Sequence, residues 1–463
     1  MSSSRKKSPS SRILRTARLK FSSLPGLVDS IITEERLRLY PLVFIVASMV
    51  AIAISSIVRI ADPTIQGAFL PDYLAHWTGG GLLLSADKST LYDPETQFAL
   101  QRKALGTEVG LSWFVSPPFV AAFYAPFALL PYNISGILWL ILSTALLVWC
   151  ALSLKSLAPT LMRRRRNVVI PAVLATAPVF ELLGGGQDSA FILAVWLVGI
   201  RLLKSKHNVW AGAVLALGFA KPQLIVLVPL VLLAARNFRA LASFSAVCGL
   251  LLGISIGLVG VDGLLQWLEA LSSPLYIHEV QDGQSWKMLG LPSFVQGLLP
   301  PTLGSQTAPI LMWSSLPIGA SVLLFCLRKA NLGVKDTRAV WIATLATTTV
   351  FSPHFLTYDA VLLIPVMAYL FEVRPSRFIR VSAVIVFGLL WLTPVFHLAA
   401  TQLPWPLSMI DAPWAAIPMA AIWLESLRAL QGRVERIEQE STAFTGRSAD
   451  TKDAASDDGQ KRE

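Results

Sequence analysis

Charged residues are scarce in this sequence, and that scarcity is the first constraint on its fold. Asp, Glu, Lys and Arg make up 14% of the 463 residues, whereas 54% are hydrophobic. Soluble domains average roughly 25% charged residues, because they must cover a polar surface. The composition therefore excludes a soluble globular protein and predicts an all-α polytopic membrane protein.

Cysteine and the familiar catalytic motifs are also scarce. The three cysteines, Cys150, Cys248 and Cys326, all lie inside apolar runs and have neither disulfide-framework nor metal-site spacing. The sequence has no phosphate loop, dinucleotide fingerprint, zinc motif or nucleophile elbow. It has no Asp-x-Asp in its apolar part either, which argues against a metal-bound nucleotide sugar. We expect no cofactor and no divalent metal.

Apolar runs that approach or exceed the length needed to cross a bilayer recur along the chain. They predict about 12 transmembrane helices, within a range of 11 to 13. The predicted spans are Tyr40–Ile60, Ile134–Leu154, Val168–Leu183, Ser189–Leu203, Val209–Ala220, Leu224–Ala235, Leu241–Val261, Ile310–Leu327, Val340–Phe351, Ala360–Phe371, Val381–Phe396 and Trp414–Leu430.

The positive charges punctuate these runs and so indicate the topology. With both termini in the cytoplasm, 33 of the 39 lysines and arginines fall in cytoplasmic segments. The net charge of +11 is thus spread over many loops and forms no single patch, which argues against nucleic acid as a partner. We expect a multi-pass protein of the cytoplasmic (inner) membrane, in contact with membrane lipids.

Three regions follow from this pattern. Residues 1–39 form a basic cytoplasmic arm, which is too long for the charged region of a cleavable signal. Residues 40–430 form the transmembrane domain, with outer loops at 61–115 and 262–308, and residues 431–463 form a disordered cytoplasmic tail. Ser116–Pro131 is apolar but short and carries four prolines, so we expect it to be re-entrant rather than to cross.

The stretch Pro71–Pro94, PDYLAHWTGGGLLLSADKSTLYDP, is the most informative part of the first outer loop. Asp72 and His76 are four residues apart and share one face of a helix. Leu70, Tyr73, Leu74 and Trp77 form an apolar stripe beside them, which predicts an amphipathic helix in the membrane interface. Asp72 is then either a catalytic carboxylate or only the cap of a surface helix.

Other unusual polar residues fall on the same outer side of the predicted topology. Each has a structural alternative: Asp188 can cap the following helix, Lys221 can snorkel at a helix break, and His354 can be a turn histidine. Their convergence on one membrane face favours a functional site. The set comprises Asp72, His76, Tyr92, Asp93, Gln187, Asp188, Lys221, His354 and Asp359.

Five motifs in this order resemble those of the family 87 glycosyltransferases. They are DYLAHWTGGGLLLSADKSTLYDP, SPPFVAAFYAPFALLP, GGGQDSAFILA, GFAKPQLIVLVPLVLL and FSPHFLTYDAVLLIPV, which together extend from about Ile60 to Val366. The resemblance implies a fold of the GT-C type and a polyprenyl-phosphate sugar, with mannose as the expected sugar. It also implies a lipid-linked or other envelope acceptor at the outer face of the membrane.

The resemblance also implies roles for individual residues. The family's early Asp corresponds to Asp72, which would be the general base of an inverting transfer. A cation must meet the leaving phosphate, with Lys221 the first choice, Arg59 the second and Arg102 the third. Substrate contacts are expected from His354, Gln187, His76, Tyr92, Asp188 and Asp359, with Trp77 and Trp113 as possible sugar-stacking rings. Related transferases can carry a second acidic residue beside the first, whereas Asp72 is flanked by Pro71 and Tyr73.

Two other functions fit the composition equally well. One is a transporter or flippase for a lipid-linked or small polar solute, although transporters usually place polar groups near the midplane and show repeated halves. The other is an inactive scaffold in an envelope-assembly complex.

Overall fold

The computed structural model describes residues 33–86, 88–107, 112–277, 284–330 and 337–430, and within these ranges the chain is helical with no β-strand. The α-helices are α1 (Glu34–Ala61), α2 (Pro63–Gln66), α3 (Pro71–Leu83), α4 (Pro94–Leu105), α5 (Pro118–Ala128), α6 (Tyr132–Ser153), α7 (Pro159–Leu174), α8 (Ala177–Gly185), α9 (Ser189–Lys204), α10 (Asn208–Ala216), α11 (Leu227–Ala234), α12 (Phe238–Ser272), α13 (Leu291–Leu298), α14 (Pro301–Lys329), α15 (Thr337–Phe351), α16 (Leu363–Val373), α17 (Arg377–Ala400) and α18 (416–430). Short 3-10 helices lie at Lys88–Thr90, Leu154–Ser156, Leu217–Ala220, Pro222–Leu224, Ser285–Lys287, Thr357–Leu362 and Leu407–Asp411.

Five helices in the described ranges are long and apolar enough to cross a membrane, namely α1, α6, α12, α14 and α17. The pair α7 and α8, bent by 50°, adds a sixth if the two are one broken span. Large apolar side chains such as Val43, Ile57 and Ile141 are exposed on these helices, as lipid-facing residues are. The prediction of an all-α multi-pass membrane protein is confirmed, and the count of 12 spans stays a prediction.

The centre of the protein is built from shorter helices. Helix α15 is buried along its whole length from Ala339 to Phe351. It carries buried threonines whose hydroxyls donate to carbonyl groups one turn earlier, for example Thr344 to Val340 (2.8 Å) and Thr347 to Ala343 (2.7 Å). Because each hydroxyl has a partner, these polar side chains are compatible with burial.

Helix α3 is enclosed by protein, and the prediction that it is amphipathic is wrong. Its position in the membrane interface stays a prediction. Its residues from Tyr73 to Gly80 are all buried. The glycines of the helix explain this position, because a Cβ at Gly80 would come within 2.7 Å of the Tyr124 carbonyl group of α5. Trp77 is buried as well, and its indole N–H donates to the Leu130 carbonyl (3.1 Å). Close backbone packing against α5 therefore overrides the apolar stripe.

Helix α5 occupies most of the proline-rich segment Ser116–Pro131. Its eleven residues extend about 16 Å, which is too short to cross a hydrocarbon core of about 30 Å. It packs against α3, so its partners are protein rather than lipid on that side. Its re-entrant placement stays a prediction.

Helices extend into the regions that were predicted to be loops. Helix α1 begins at Glu34, inside the predicted arm, and α12 continues to Ser272 while α14 begins at Pro301, which shortens the second outer loop. The first outer loop contains helices α2 to α4. Residues 1–32 of the arm and the tail 431–463 lie outside the described residues.

Candidate functional site

Two glycines, Gly185 and Gly186, position the N-terminus of α3. Gly186 caps the C-terminus of α8, and its φ of +77° is unfavourable for other residues. A Cβ at Gly186 would lie 2.7 Å from the Cβ of Tyr73, and a Cβ at Gly185 would overlap the Asp72 carboxylate. The indole N–H of Trp139 donates to the Gly186 carbonyl (2.9 Å) and fixes the turn. These two glycines therefore let the end of α8 meet the start of α3.

The Asp72 carboxylate lies at this junction without a partner. The side chain is half-buried, and it makes no hydrogen bond and no ion pair within the described residues. The cap position of α3 belongs to Leu70, and Asp72 follows Pro71 in the first turn. The hypothesis that Asp72 only caps the helix is therefore wrong, and its oxygens are available to accept a proton.

A buried ion-pair cluster forms next to it. Lys221 Nζ lies 2.8 Å from Asp188 Oδ1 and 3.1 Å from Asp359 Oδ1. It also donates to Ser189 Oγ (2.9 Å), while the Ser189 hydroxyl donates to Asp359 Oδ1 (2.5 Å). The ammonium lies 4.9 Å above the centre of the Tyr358 ring. The side chains of the three charged residues are at most 14% exposed, so solvent screens these interactions only weakly.

This cluster decides two of the alternatives that the sequence left open. Asp188 precedes α9 but makes no capping hydrogen bond with its side chain, so it does not cap the helix. Lys221 follows a 3-10 helix and precedes Pro222, but its side chain turns inward to two carboxylates and does not snorkel. Asp188, Lys221 and Asp359 meet in the structure, and their common position on the outer face of the membrane stays a prediction. The cluster carries a net charge of −1, since two carboxylates face one ammonium.

Two histidines lie beside the cluster as neutral rings. His76 stacks on Tyr124, with ring centres 4.5 Å apart and planes at 10°. Its Nδ1 and that of His354 are both inaccessible to water and have no hydrogen-bond partner among the described residues. Burial lowers the pKa of both imidazoles, so each is neutral at pH 7. A neutral ring can donate or accept one hydrogen bond, but it cannot neutralise a phosphate.

Glu181 is a member of the site that the sequence reasoning missed. It lies in α8, one turn before Gly185, and its Oε2 is buried without a partner in the described residues. The Glu181 carboxyl is within electrostatic reach of Lys287 and of Asp72. A lone acidic residue inside the apolar run Val168–Leu183 was the available signal.

Gln187 fits the role of a sugar-binding amide. Its side chain is 8% exposed and makes no hydrogen bond to the described residues. An amide without a protein partner is available to hydrogen-bond a ligand. Gln187 directly precedes Asp188 of the ion-pair cluster, and its contact with the sugar stays a prediction.

Three other predicted contact residues, Arg59, Arg102 and Tyr92, have partners in different parts of the protein. Arg59 Nη1 donates to the Ala68 carbonyl (3.2 Å), and both Arg59 and Asp72 are within electrostatic reach of Tyr132. Arg102, in contrast, lies on α4 and faces Glu95 at 3.9 Å across an exposed surface. Tyr92 is fully engaged in the protein, because its hydroxyl donates to the Ser116 carbonyl (2.7 Å) and its ring stacks on Phe114.

The described residues contain no group of three or more His, Cys, Asp or Glu side chains that could hold a metal ion. The carboxylates of Asp188 and Asp359 already have a cation between them in Lys221. The expectation of a metal-independent reaction stays a prediction.

The fold and site define a multi-pass α-helical membrane protein with an unpaired carboxylate beside a buried ion-pair cluster. A family model, glycosyltransferase family 87, matches residues 114–353, which is more than half of the chain. The chain belongs to glycosyltransferase family 87 and is a membrane glycosyltransferase. No curated protein and no solved structure matches it, so the GT-C type of fold stays a prediction.

Proposed function

We propose that this glycosyltransferase moves a sugar from a polyprenyl-phosphate donor to a lipid-linked or other envelope acceptor at the outer face of the cytoplasmic membrane. Mannose is the first sugar to test. The unpaired Asp72 carboxylate at the junction of α3 and α8 is the observation that carries the proposal. A transferase needs such a group, because the acceptor hydroxyl must lose a proton as it attacks the anomeric carbon.

The chemistry is a single displacement with inversion. The acceptor oxygen forms a bond to the anomeric carbon, the bond to the phosphate oxygen breaks, and the hydroxyl proton passes to Asp72. The polyprenyl phosphate leaves as an anion and needs no proton from the protein. One carboxylate therefore suffices for the reaction.

The leaving phosphate needs a cation, and the geometry changes the order of the candidates. Lys221 is already compensated by Asp188 and Asp359, so we assign it to holding the site together. Arg59 lies near the start of α3, makes one hydrogen bond to a carbonyl and has a buried Nε without a partner in the described residues. We assign the phosphate contact to Arg59, with Lys287 as a second cation on the side of Glu181.

The proposal is tested in membranes that contain the protein. Radiolabelled polyprenyl-phosphate mannose is added, and the label is followed into extractable lipid and into larger envelope glycans. Transfer that requires the protein supports the proposal. Donors with other sugars on the same carrier form the second arm, and failure with every polyprenyl-phosphate sugar would refute the donor class.

A further inference from the structure

A pocket lies in another part of the protein, and neither Asp72 nor any member of the ion-pair cluster lines it. It has a volume of about 310 Å³ and lies between the 3-10 helix Ser285–Lys287, α13, the start of α14 and the turn 400–413 after α17. This volume is at the lower end of the range of roughly 300–1,000 Å³ for small-molecule sites. It has room for one small polar ligand.

The pocket offers unused polar groups. The Gln296 amide and the hydroxyls of Ser293 and Ser408 line it and make no side-chain hydrogen bond within the described residues. Ser293 is only 6% exposed. Gln296 and Ser408 are half-buried, so a ligand that brings several hydroxyls can reach these groups and pair with them.

A fixed carboxylate and a free aromatic ring complete the lining. Asp411 faces His397, with 2.9 Å between Oδ2 and Nδ1, and His397 stacks on Trp286 with ring centres 4.4 Å apart and planes at 6°. These two contacts, from Trp286 to His397 and from His397 to Asp411, fix the orientation of the Asp411 carboxylate. Trp405 also lines the pocket and is 48% exposed, so its indole face is open to a ligand.

The pocket is joined to the reaction centre by the segment that follows Trp286. The carbonyl of Lys287 accepts from the Thr357 hydroxyl (3.2 Å), and Leu289 N–H donates to the Phe355 carbonyl (2.8 Å). Residues 355–357 lead directly into Asp359 of the ion-pair cluster. Lys287 also interacts electrostatically with Glu181, and Glu181 interacts in the same way with Asp72.

We propose that this pocket binds a saccharide unit of the acceptor, an inference that rests on the proposed transferase function. A carboxylate, an amide, two hydroxyls and an open indole face match a sugar ring, whose hydroxyls need hydrogen bonds and whose C–H face packs on an aromatic ring. The same lining disfavours an acyl chain, which would offer no hydrogen-bond partner to the side chains of Ser293, Gln296 and Ser408. The pocket then holds the acceptor while its reacting hydroxyl extends toward Asp72.

Saturation-transfer NMR on the full chain in lipid nanodiscs tests the binding. The probes are methyl α-mannoside, methyl β-glucoside and glycerol, each at millimolar concentration. We expect saturation of the ring protons of at least one glycoside and none of glycerol. Trp405→Ala and Gln296→Ala should each reduce the signal at least fivefold, and Trp405→Tyr should restore most of it because an aromatic face returns.

Trp210→Ala is the matched control, since Trp210 is a 68% exposed indole away from the pocket. Its signal should equal that of the unmodified protein. No glycoside signal above glycerol in the unmodified protein would overturn the proposal, as would an unchanged signal in both Trp405→Ala and Gln296→Ala.

The result is separable from the test of the transferase function. Asp72→Asn should abolish transfer and leave glycoside binding intact, because Asp72 does not line the pocket. If glycoside binding depends on Trp405 but no donor supports transfer, the donor assignment is refuted and the saccharide-binding role of the pocket stands. If transfer depends on Asp72 but no glycoside binds, the saccharide-binding role of the pocket is refuted and the proposed transferase function stands.

Discussion

The ammonium of Lys221 lies 2.8 Å from Asp188 Oδ1 and joins the start of α9 to the helix break before Pro222. Asp359 approaches the same ammonium from a third segment, at 3.1 Å. Three parts of the chain that are far apart in sequence are thereby held at one point. A charge in that position supports the site even if it never touches a substrate.

Lys221→Met should therefore reduce stability as well as activity. The substitution leaves Asp188 and Asp359 buried without their cation, and breaking a buried pair in this way costs about 3–5 kcal/mol. We expect a lower thermal midpoint and poorer recovery in size-exclusion chromatography of the detergent-solubilised protein. The combined variant Lys221→Met, Asp359→Asn should regain part of that stability, because one uncompensated charge is removed. A single variant as stable as the unmodified protein would show that the cluster is not structural.

The sequence predicts the fold class well because lipid imposes a simple rule. A long apolar segment must satisfy its own backbone hydrogen bonds and so becomes a helix, which is why α1, α6, α12, α14 and α17 follow the apolar runs. The same rule does not predict how α3 packs in the fold. Its apolar stripe is real, but Gly79 and Gly80 allow backbone contact with α5, and such tertiary packing has no periodic signature.

The sequence predicts which residues belong to the site better than it predicts which of them form ion pairs. Asp188, Lys221 and Asp359 stand out in sequence as polar residues at helix ends, and they meet in the structure. Their pairing is a long-range contact that residue type does not reveal. Glu181 was missed because it lies inside an apolar run, where the hydropathy of its neighbours conceals it.

Arg59→Met should weaken donor use if Arg59 meets the phosphate. The KM for the polyprenyl-phosphate sugar should rise about tenfold or more, since a charge-assisted contact of about 1.5–3 kcal/mol is lost. Arg102→Met is the matched control, because Arg102 faces Glu95 at the surface of α4. Steady-state transfer at varied donor concentration separates the two variants. Equal kinetics in both would return the phosphate contact to Lys221 or Lys287.

The distribution of basic residues predicts which loops face outward. Lys88 and Lys287 should be outside, and Arg163–Arg166 and Lys329 should be in the cytoplasm. Single cysteines at these positions, in a protein from which Cys150, Cys248 and Cys326 have been removed, are treated with a membrane-impermeant thiol reagent in intact cells. We expect labelling at positions 88 and 287 only. Labelling of a cysteine in Arg163–Arg166 from outside would show that the predicted topology is inverted.

Gly185→Ala should displace the Asp72 carboxylate with little effect on the rest of the fold. The new methyl group would overlap that carboxylate, so the Asp72 side chain must move. A displacement of about 1 Å can cost about a hundredfold in rate. Gly184→Ala is an unusually close control, because a Cβ there meets no atom within 4 Å. We expect a large loss of transfer in Gly185→Ala and near-normal transfer in Gly184→Ala, measured at equal amounts of folded protein. Equal activities would mean that the position of Asp72 does not matter.

Asp72→Asn tests the assignment on which the mechanism depends. The amide keeps the shape of the side chain but cannot accept a proton, and loss of a general base costs about two to four orders of magnitude in rate. Stability should change little, because the carboxylate makes no hydrogen bond or ion pair in the described part of the chain. The remaining structural contribution of Asp72 is its charge in the first turn of α3, which is worth about 0.3–1 kcal/mol. Donor affinity should hold or rise slightly, since a neutral group no longer repels the phosphate. The decisive measurement is single-turnover transfer with saturating donor, which isolates the chemical step from binding. A folded Asp72→Asn protein that transfers sugar at the normal rate would remove Asp72 from the mechanism and leave Glu181 as the next carboxylate to examine.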